Sequence, residues 1–285
     1  MDEAIQPINV QSAKQKIKSY SHNPGSLILA GLVGLAALLT VLTLVFIVGY
    51  ILIKGIPNLT PELFQLEYNS ENVSMFPAII NTICMTVLSL LIAGPLGILA
   101  AVYLVEYAKK GNKLVSLVRV TAETLTGIPS IVYGLFGMLF FVTTLHWGYS
   151  MLAGAFTLAI MVLPVIMRTT EEALLSVPDT FREASFGLGA GRLRTIFVVI
   201  LPSAVPGIFS GVILSIGRIV GETAALMYTA GTVAELPKSV MSSTRTLSVH
   251  MYSLASEGLY VDQAYATAAV SYTHLRAHET GAYLV

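Results

Sequence analysis

Two charged residues, Arg218 and Glu222, interrupt an otherwise apolar stretch, and their spacing of four residues predicts that both side chains lie on one face of a helix. Each charge costs about 2.5 to 3.5 kcal/mol at the centre of a membrane, so both should face protein or a water-filled path. Arginine offers a rigid fork of donors that matches a tetrahedral oxyanion, whereas glutamate repels such an anion unless the anion still carries a proton. The pair therefore predicts a site that suits hydrogen phosphate better than sulfate.

The same pair has a second interpretation, in which Arg218 and Glu222 form an internal salt bridge that only holds helices together. One arginine and one glutamate also sum to zero charge. A path for an anion would therefore need a further arginine from a partner chain.

A second pattern begins at Glu183-Ala184-Ser185, continues to Gly189 and ends at Val199-Ile200-Leu201-Pro202. Thr180 and Glu183 fit a capping box, which predicts a helix that begins at Phe181 and that glycines 187 and 189 stop. A second helical run is predicted over 192–201, where Pro202 ends it. The segment 168–204 is thus expected to form a helix, a glycine turn and a second helix.

Several other kinds of chemistry have no motif here. The sequence contains no G-x-x-x-x-G-K-[ST] phosphate loop, no His-Glu-x-x-His and no Gly-x-Ser-x-Gly. Cys84 is the only cysteine, and the histidines His22, His146 and His250 are scattered over different segments. We therefore expect no catalytic residue, no metal site and no ATP hydrolysis by the chain itself.

The elements that must position these residues are membrane spans. Of the 285 residues, 55% are hydrophobic and 11% are charged, and 16 basic residues balance 16 acidic ones, so no basic excess points to nucleic acid. Three stretches, 19–53, 73–105 and 124–167, contain no Asp, Glu, Lys or Arg. About 20 apolar residues cross a bilayer, so we predict spans at 27–53, 76–104, 127–143, 151–167 and 205–230.

Glycines and prolines in these spans predict a packed, bent helix bundle. The pairs Gly207/Gly211 and Gly217/Gly221 place small residues on one face of the fifth span, which allows close approach of another helix. Pro129 is expected to bend the third span.

The distribution of Lys and Arg predicts a cytoplasmic N-terminus. With that orientation, the outer segments hold three basic residues, Lys54, Lys238 and Arg245. The cytoplasmic segments hold eleven, namely Lys14, Lys16, Lys18, Lys109, Lys110, Lys113, Arg119, Arg168, Arg182, Arg192 and Arg194.

A sixth span should begin near Asp262, but the apolar run 264–270 is too short to cross a membrane. Residues 271–285 are polar and include Arg276 and Glu279. We therefore predict a cytoplasmic segment 1–26, a transmembrane domain 27–270 with a truncated sixth span, and an atypical, non-native tail 271–285. A genuine short polar tail is the alternative.

Two resemblances carry the functional expectation. The Glu183 to Pro202 pattern resembles the "EAA" loop of ABC importer permeases, with Ser185 and Val199 as departures. The stretch 214–226, the stretch 244–252 and the run Thr126 to Gly134 resemble the PstA family of bacterial phosphate ABC importer permeases, over roughly residues 20–270. Other oxyanion permeases share the loop.

These resemblances imply an all-α, polytopic helix bundle of the MetI-like permease type with about six spans. They imply a substrate path at Arg218, Glu222 and Thr223, and contact with the ATPase through Glu183, Ala184, Ser185 and Gly189. The implied partners are a PstC-like second permease, two PstB-like ATP-binding subunits that bind the ATP, and a PstS-like extracytoplasmic phosphate-binding protein. The expected location, in contact with membrane lipid, is the bacterial cytoplasmic (inner) membrane. An ion-coupled secondary transporter and a membrane scaffold are the rival functions.

The orientation gives a first prediction. A reporter fused after Ala190 should be cytoplasmic, and one fused near Ser243 should be outside, because the basic residues divide eleven to three between the two sides. Paired alkaline phosphatase and fluorescent-protein fusions measure this directly. Placement of both positions on the same side would contradict the predicted number of spans between them.

Overall fold

The computed structural model describes residues 24–109 and 111–282, and the described residues form helices and loops without a strand. This confirms the all-helical class. Short π-helical turns, 103–107, 138–144 and 196–200, follow α2, α4 and α7. The helices are α1 (Pro24–Gly55), α2 (Phe76–Val102), α3 (Lys113–Thr126), α4 (Ser130–Gly137), α5 (Met151–Ser176), α6 (Asp179–Gly187), α7 (Arg192–Thr195), α8 (Leu201–Val220), α9 (Ala224–Thr229), α10 (Leu247–Glu257) and α11 (Val261–Ala282).

The chain divides into two units, residues 1–53 and 54–285. In the first unit the described residues belong to α1, whose apolar side chains are largely exposed. Thr40 and Thr43 donate hydrogen bonds to the carbonyls one turn earlier, so these two hydroxyls are satisfied within an apolar helix. Most of the predicted cytoplasmic segment 1–26 lies outside the described residues, and the predicted domain 27–270 includes parts of both units.

Four helical stretches are long and apolar enough to cross a membrane: 25–58, 76–107, 151–176 and 192–220. A fifth candidate is the pair α3 and α4, which meet at a bend of 103° and form either a broken span or a re-entrant loop. The bend falls at residues 127–129, so Pro129 lies where the sequence predicts a bend. These stretches confirm a protein with several membrane-spanning helices.

The fifth predicted span, 205–230, is wrong in both of its bounds. The continuous stretch begins at Arg192 and ends at Val220, and a break at 221–223 separates it from the short helix α9. Pro202 does not end a helix. It lies in the first turn of α8 directly after a π-helical turn, and the helical stretch continues through it.

Helix α5 forms the centre of the second unit. Its side chains Leu158, Met161 and Ile166 are fully buried, and α2 and α8 pack along it. The surrounding core takes Met85 from α2 and Ile219 from α8. A second apolar cluster comprises residues such as Leu104, Met167, Leu174, Ile196 and Ile200.

Glycines allow two close approaches between helices. A side chain at Gly207 or Gly211 would collide with α5, which confirms the packing role predicted for this pair, whereas Gly217 has open space around its Cα. In α4, a Cβ at Gly134 would lie 2.8 Å from the Cα of Ala225 in α9. The backbones of α4 and α9 are therefore in direct contact.

Helix α11 begins at Val261, next to the predicted start near Asp262. It continues past residue 271, where the sequence predicts a change of character, and it is not among the stretches that are apolar enough to span. The non-native tail 271–285 remains a prediction, and its last three residues lie outside the described part of the chain.

Candidate functional site

The segment between α5 and α8 contains the first group of predicted site residues. Helix α6 leads to a glycine turn, in which Gly189 has a φ of +81°, the left-handed conformation expected there. Glu183, Ala184 and Gly189 are exposed. Ser185 instead points into the fold, where its hydroxyl lies 2.9 Å from that of Thr195, so it fastens α6 to α7.

The predicted capping box is wrong. Helix α6 begins at Asp179 rather than at Phe181, its N-cap is Pro178, and no side-chain capping bond is formed. The reason is the proline, whose fixed φ sets the direction of the chain two residues earlier than the Thr180 and Glu183 pattern indicates. Glu183 consequently lies on the surface of the helix.

Arg182 anchors α6 to the rest of the bundle. Its Nε and Nη2 donate to Glu106 Oε1 at 3.1 and 2.7 Å, and both side chains are mostly buried. The same guanidinium donates to the carbonyls of Leu174 and Val177 at the end of α5. Sequence reasoning missed this pair, although Glu106 is the first charge after the uncharged stretch 73–105.

Large apolar side chains surround the exposed face of α6. Phe181 and Phe186 are about half exposed, Leu193 is 64% exposed, and Leu188 at the glycine turn is 89% exposed. Apolar side chains this exposed at a helix surface are typical of a contact with another protein.

The structure does not form the Arg218–Glu222 salt bridge of the second interpretation. No Arg218 nitrogen lies within 4.0 Å of a Glu222 oxygen. Helix α8 ends at Val220, and the Glu222 carboxylate turns to the next helix, where Oε1 accepts a hydrogen bond of 3.0 Å from Ala225 N. The regular helix assumed in the prediction stops before Glu222, so the spacing of four residues no longer implies a salt bridge.

The surroundings of the two residues differ. Glu222 is 8% exposed, and its backbone carbonyl accepts a 2.6 Å hydrogen bond from Ser248 Oγ. Arg218 and Thr223 are half-buried. The Arg218 guanidinium interacts electrostatically with Tyr133, whose hydroxyl donates to the Leu125 carbonyl.

Tyr133 is a site residue that sequence reasoning did not identify. It lies in the run Thr126 to Gly134, and the contact between α4 and α9 brings this run beside the break at 221–223. With the hydrogen bond from Ser248 to Glu222, the structure thus brings together all three stretches that resemble phosphate permeases. Among the described residues, no group of three His, Cys, Asp or Glu side chains could hold a metal ion.

Comparison with known proteins decides the family. Residues 93–273 match the family "binding-protein-dependent transport system inner membrane component", which is more than half of the chain. The chain belongs to this family. Membership establishes that the chain is a transport component of the inner membrane with several spans.

Curated relatives agree with this assignment. The chain is 35% identical over 247 residues to the probable ABC transporter permease protein YqgI of Bacillus subtilis, with 81% of this chain and 84% of the relative covered. It is 42% identical over 189 residues to the phosphate transport system permease protein PstA of Pasteurella multocida, with 66% and 67% covered. For PstA of Haemophilus influenzae the identity is 31% over 244 residues, with 85% and 86% covered.

Solved structures support the fold. A methionine ABC transporter, MetNI, in inward-facing conformations matches with a TM-score of 0.55 at 19% identity, over 73% of this chain and 90% of that one. A bacterial alginate ABC transporter matches with a TM-score of 0.61 at 19% identity, over 90% and 94%. The protein is an ABC importer permease subunit of the MetI-like fold, a transport component without an ATPase site of its own.

The Arg182 anchor gives a second prediction. Arg182→Gln leaves the buried Glu106 carboxylate without its partner, and the free energy of unfolding should fall by about 3 to 5 kcal/mol. Chemical unfolding in detergent measures the change. Arg168→Gln is the control, because Arg168 and its partner Glu172 are 55% and 66% exposed, and it should leave the unfolding midpoint unchanged. Equal midpoints for the two variants would contradict the anchoring role.

Proposed function

We propose that this chain is the permease subunit of an ATP-driven importer of inorganic phosphate. The observation that carries the proposal is the intramembrane Arg218, which has no carboxylate of the described residues within 4.0 Å and lies just before the break that contains the buried Glu222. Two relatives whose names specify phosphate transport support the substrate.

Arg218, Glu222 and Thr223 form the proposed substrate path. Because Arg218 is not neutralised by Glu222, its donor fork is available to a tetrahedral oxyanion. A buried carboxylate at Glu222 repels a fully deprotonated anion but accepts a hydrogen bond from one that still carries a proton. Hydrogen phosphate has such a proton at neutral pH and sulfate does not, so the two residues together favour phosphate.

Helix α6 is the proposed contact with the ATPase. Glu183 and Ala184 lie on its exposed surface, and Phe181, Phe186 and Leu188 supply apolar area for docking into a groove of the partner. The partner would bind the ATP, and the basic residues predict that this face is cytoplasmic.

Two connections would carry a movement of α6 into the bundle. Arg182 joins α6 to Glu106 at the end of α2 and to the carbonyls of Leu174 and Val177 at the end of α5. The continuous helical stretch 192–220 leads from the glycine turn to Arg218, which is about 39 Å along its axis at 1.5 Å per residue. The proposed contact with the ATPase and the proposed substrate path thus lie near the two ends of one helical stretch.

The proposed assembly contains a homologous PstC-like permease, two PstB-like ATP-binding subunits and a PstS-like extracytoplasmic phosphate-binding protein. The second permease would contribute the further positive charge that transit of an anion needs. The chain would lie in the bacterial cytoplasmic membrane with its N-terminus inside.

A third prediction tests the contact with the ATPase. Gly189→Val forces a β-branched residue into a φ of +81°, which should distort the turn after α6 and reduce stimulation of the partner ATPase several-fold. ATP hydrolysis and phosphate uptake are measured in proteoliposomes that contain the whole complex. Gly187→Ala is the matched control, because that glycine lies within α6 with open space around it. Normal coupling in Gly189→Val would contradict the proposed contact.

A fourth prediction tests the substrate. Proteoliposomes with the intact complex should take up phosphate when ATP is present, and Arg218→Gln should remove uptake by at least about tenfold while assembly is retained, since an amide cannot replace the charge and fork of the guanidinium. Lys238→Gln, which removes an exposed charge from an outer loop, is the control. Uptake of sulfate or molybdate in place of phosphate would assign the chain to another oxyanion importer.

A Glu222 variant tests the preference for phosphate over sulfate in the same uptake experiment. Glu222→Gln should narrow the preference for phosphate over sulfate, whereas Glu257→Gln, an exposed carboxylate, should not. The double variant Arg218→Gln with Glu222→Gln should assemble and remain inactive. Recovery of full uptake in the double variant would mean that the two residues serve only to balance each other's charge.

A further inference from the structure

Buried polar atoms without partners are concentrated at one place in the described part of the chain. We call this place the Arg245 cluster, and it comprises Tyr68, Asn81, Thr244, Arg245 and His250. Its unpartnered atoms are Asn81 Oδ1, Thr244 Oγ1, Arg245 Nε and Nη2, and both ring nitrogens of His250. Buried polar groups in native proteins almost always have a hydrogen-bond partner, so this concentration of exceptions is a place where a polar ligand would find partners.

The guanidinium of Arg245 is the strongest of these exceptions. The residue is 6% exposed, and no carboxylate oxygen of the described residues lies within 4.0 Å of it. Tyr68 covers one face of the guanidinium, with 4.7 Å between the Arg245 Cζ and the ring centroid. This stacking uses the face of the guanidinium and not the edge with the N–H donors.

The two unpartnered nitrogens form one donor fork. Arg182 uses the same two atoms, Nε and Nη2, to hold the Glu106 carboxylate. In Arg245 the equivalent edge has no hydrogen-bond partner among the described residues. An unpaired charge in a buried site is destabilising, and an oxyanion bound in that fork would offset this cost.

The neighbouring groups complement an oxyanion that retains a proton. Thr244 offers a hydroxyl, and Asn81 offers an acceptor oxygen. Burial, and to a smaller extent the nearby Arg245, lower the pKa of His250 to about 3, against an opposing contribution from the Val73 backbone. The imidazole is therefore neutral at pH 7 and has one donor and one acceptor nitrogen.

Hydrogen bonds connect the Arg245 cluster to the proposed path. The backbone carbonyl of Arg245 accepts from Asn81 Nδ2 at 3.3 Å, which ties the cluster to α2. Thr246 Oγ1 lies 3.1 Å from Ser248 Oγ, and Ser248 Oγ donates to the Glu222 carbonyl. The cluster thus lies one short segment away from Glu222, on the side that the basic residues predict to be outside.

We propose that Arg245 is an outer binding site for a protonated oxyanion of the hydrogen phosphate type, which holds the ion before it reaches Arg218 and Glu222. The identity of the anion rests on the proposed function. The Nε and Nη2 fork is the main contact, and Thr244 and the neutral His250 bind the remaining oxygens and the proton.

Equilibrium dialysis of labelled inorganic phosphate against the purified permease–ATPase complex, without the binding protein, tests the proposal. The measurement is made in the Arg218→Gln background, which removes the inner site. We expect phosphate binding to persist there. Adding Arg245→Lys, which keeps the charge but loses the fork, should raise Kd at least about tenfold.

A second variant protects the test against a folding defect. Thr244→Val removes a hydroxyl that has no partner in the fold, so it should not weaken the fold, and it should raise Kd for phosphate. Lys238→Gln, added in the same way, is the charge control and should leave Kd unchanged. Tyr68→Leu removes the ring that stacks on Arg245 and leaves the donor fork intact. If Arg245 binds the anion, this variant should change the Kd for phosphate less than Arg245→Lys does.

The outcomes are distinct from those of the uptake experiment. Absence of phosphate binding in the Arg218→Gln background, or an unchanged Kd in both the Arg245→Lys and Thr244→Val variants, would overturn the outer site. An effect of Tyr68→Leu as large as that of Arg245→Lys would do the same. None of these results depends on whether Arg218→Gln abolishes uptake in proteoliposomes, which is the measure of the proposed function.

Discussion

Backbone polar groups within a membrane need partners inside the protein, and the break at 221–223 satisfies this requirement through Glu222. Its carboxylate accepts the Ala225 N–H, its own N–H donates to the Ile219 carbonyl, and its carbonyl accepts from Ser248. Glu222 therefore fixes the start of α9 and the start of α10 against the end of α8. A helix that simply continued would need none of these contacts, and it would not bring Ser248 to Glu222.

The end of α5 next to α6 is held in a similar way, by a side chain of the opposite charge. The last carbonyls of a helix have no partner within it, and Arg182 donates to two carbonyls there, those of Leu174 and Val177. Glu106 balances the charge of Arg182. In each of the two proposed functional regions, an ionisable side chain thus satisfies backbone groups at the end of a helix.

The sequence predicted the first, second and fourth spans well, and it predicted the fifth span and the contacts at helix ends poorly. The uncharged stretches locate the spans 76–104 and 151–167, because a charged side chain is costly wherever a helix faces lipid or the protein core. The prediction that Arg218 and Glu222 lie on one face of a helix was wrong because it assumes an unbroken helix, and the helix stops at Val220. The inward direction of the Ser185 side chain could not be predicted from the adjacent residues in the sequence, since its partner Thr195 lies on the next helix. Burial of Arg245 depends on Tyr68, which is remote in the sequence.

The contact between Gly134 and Ala225 has a mechanical consequence. Because a single methyl group does not fit between them, α4 and α9 touch through their backbones and have no flexible side chains there to absorb a relative displacement. A displacement of one of these short helices therefore pushes directly on the other. A residue larger than glycine at position 134 would force α4 and α9 apart at this point, next to the break at 221–223.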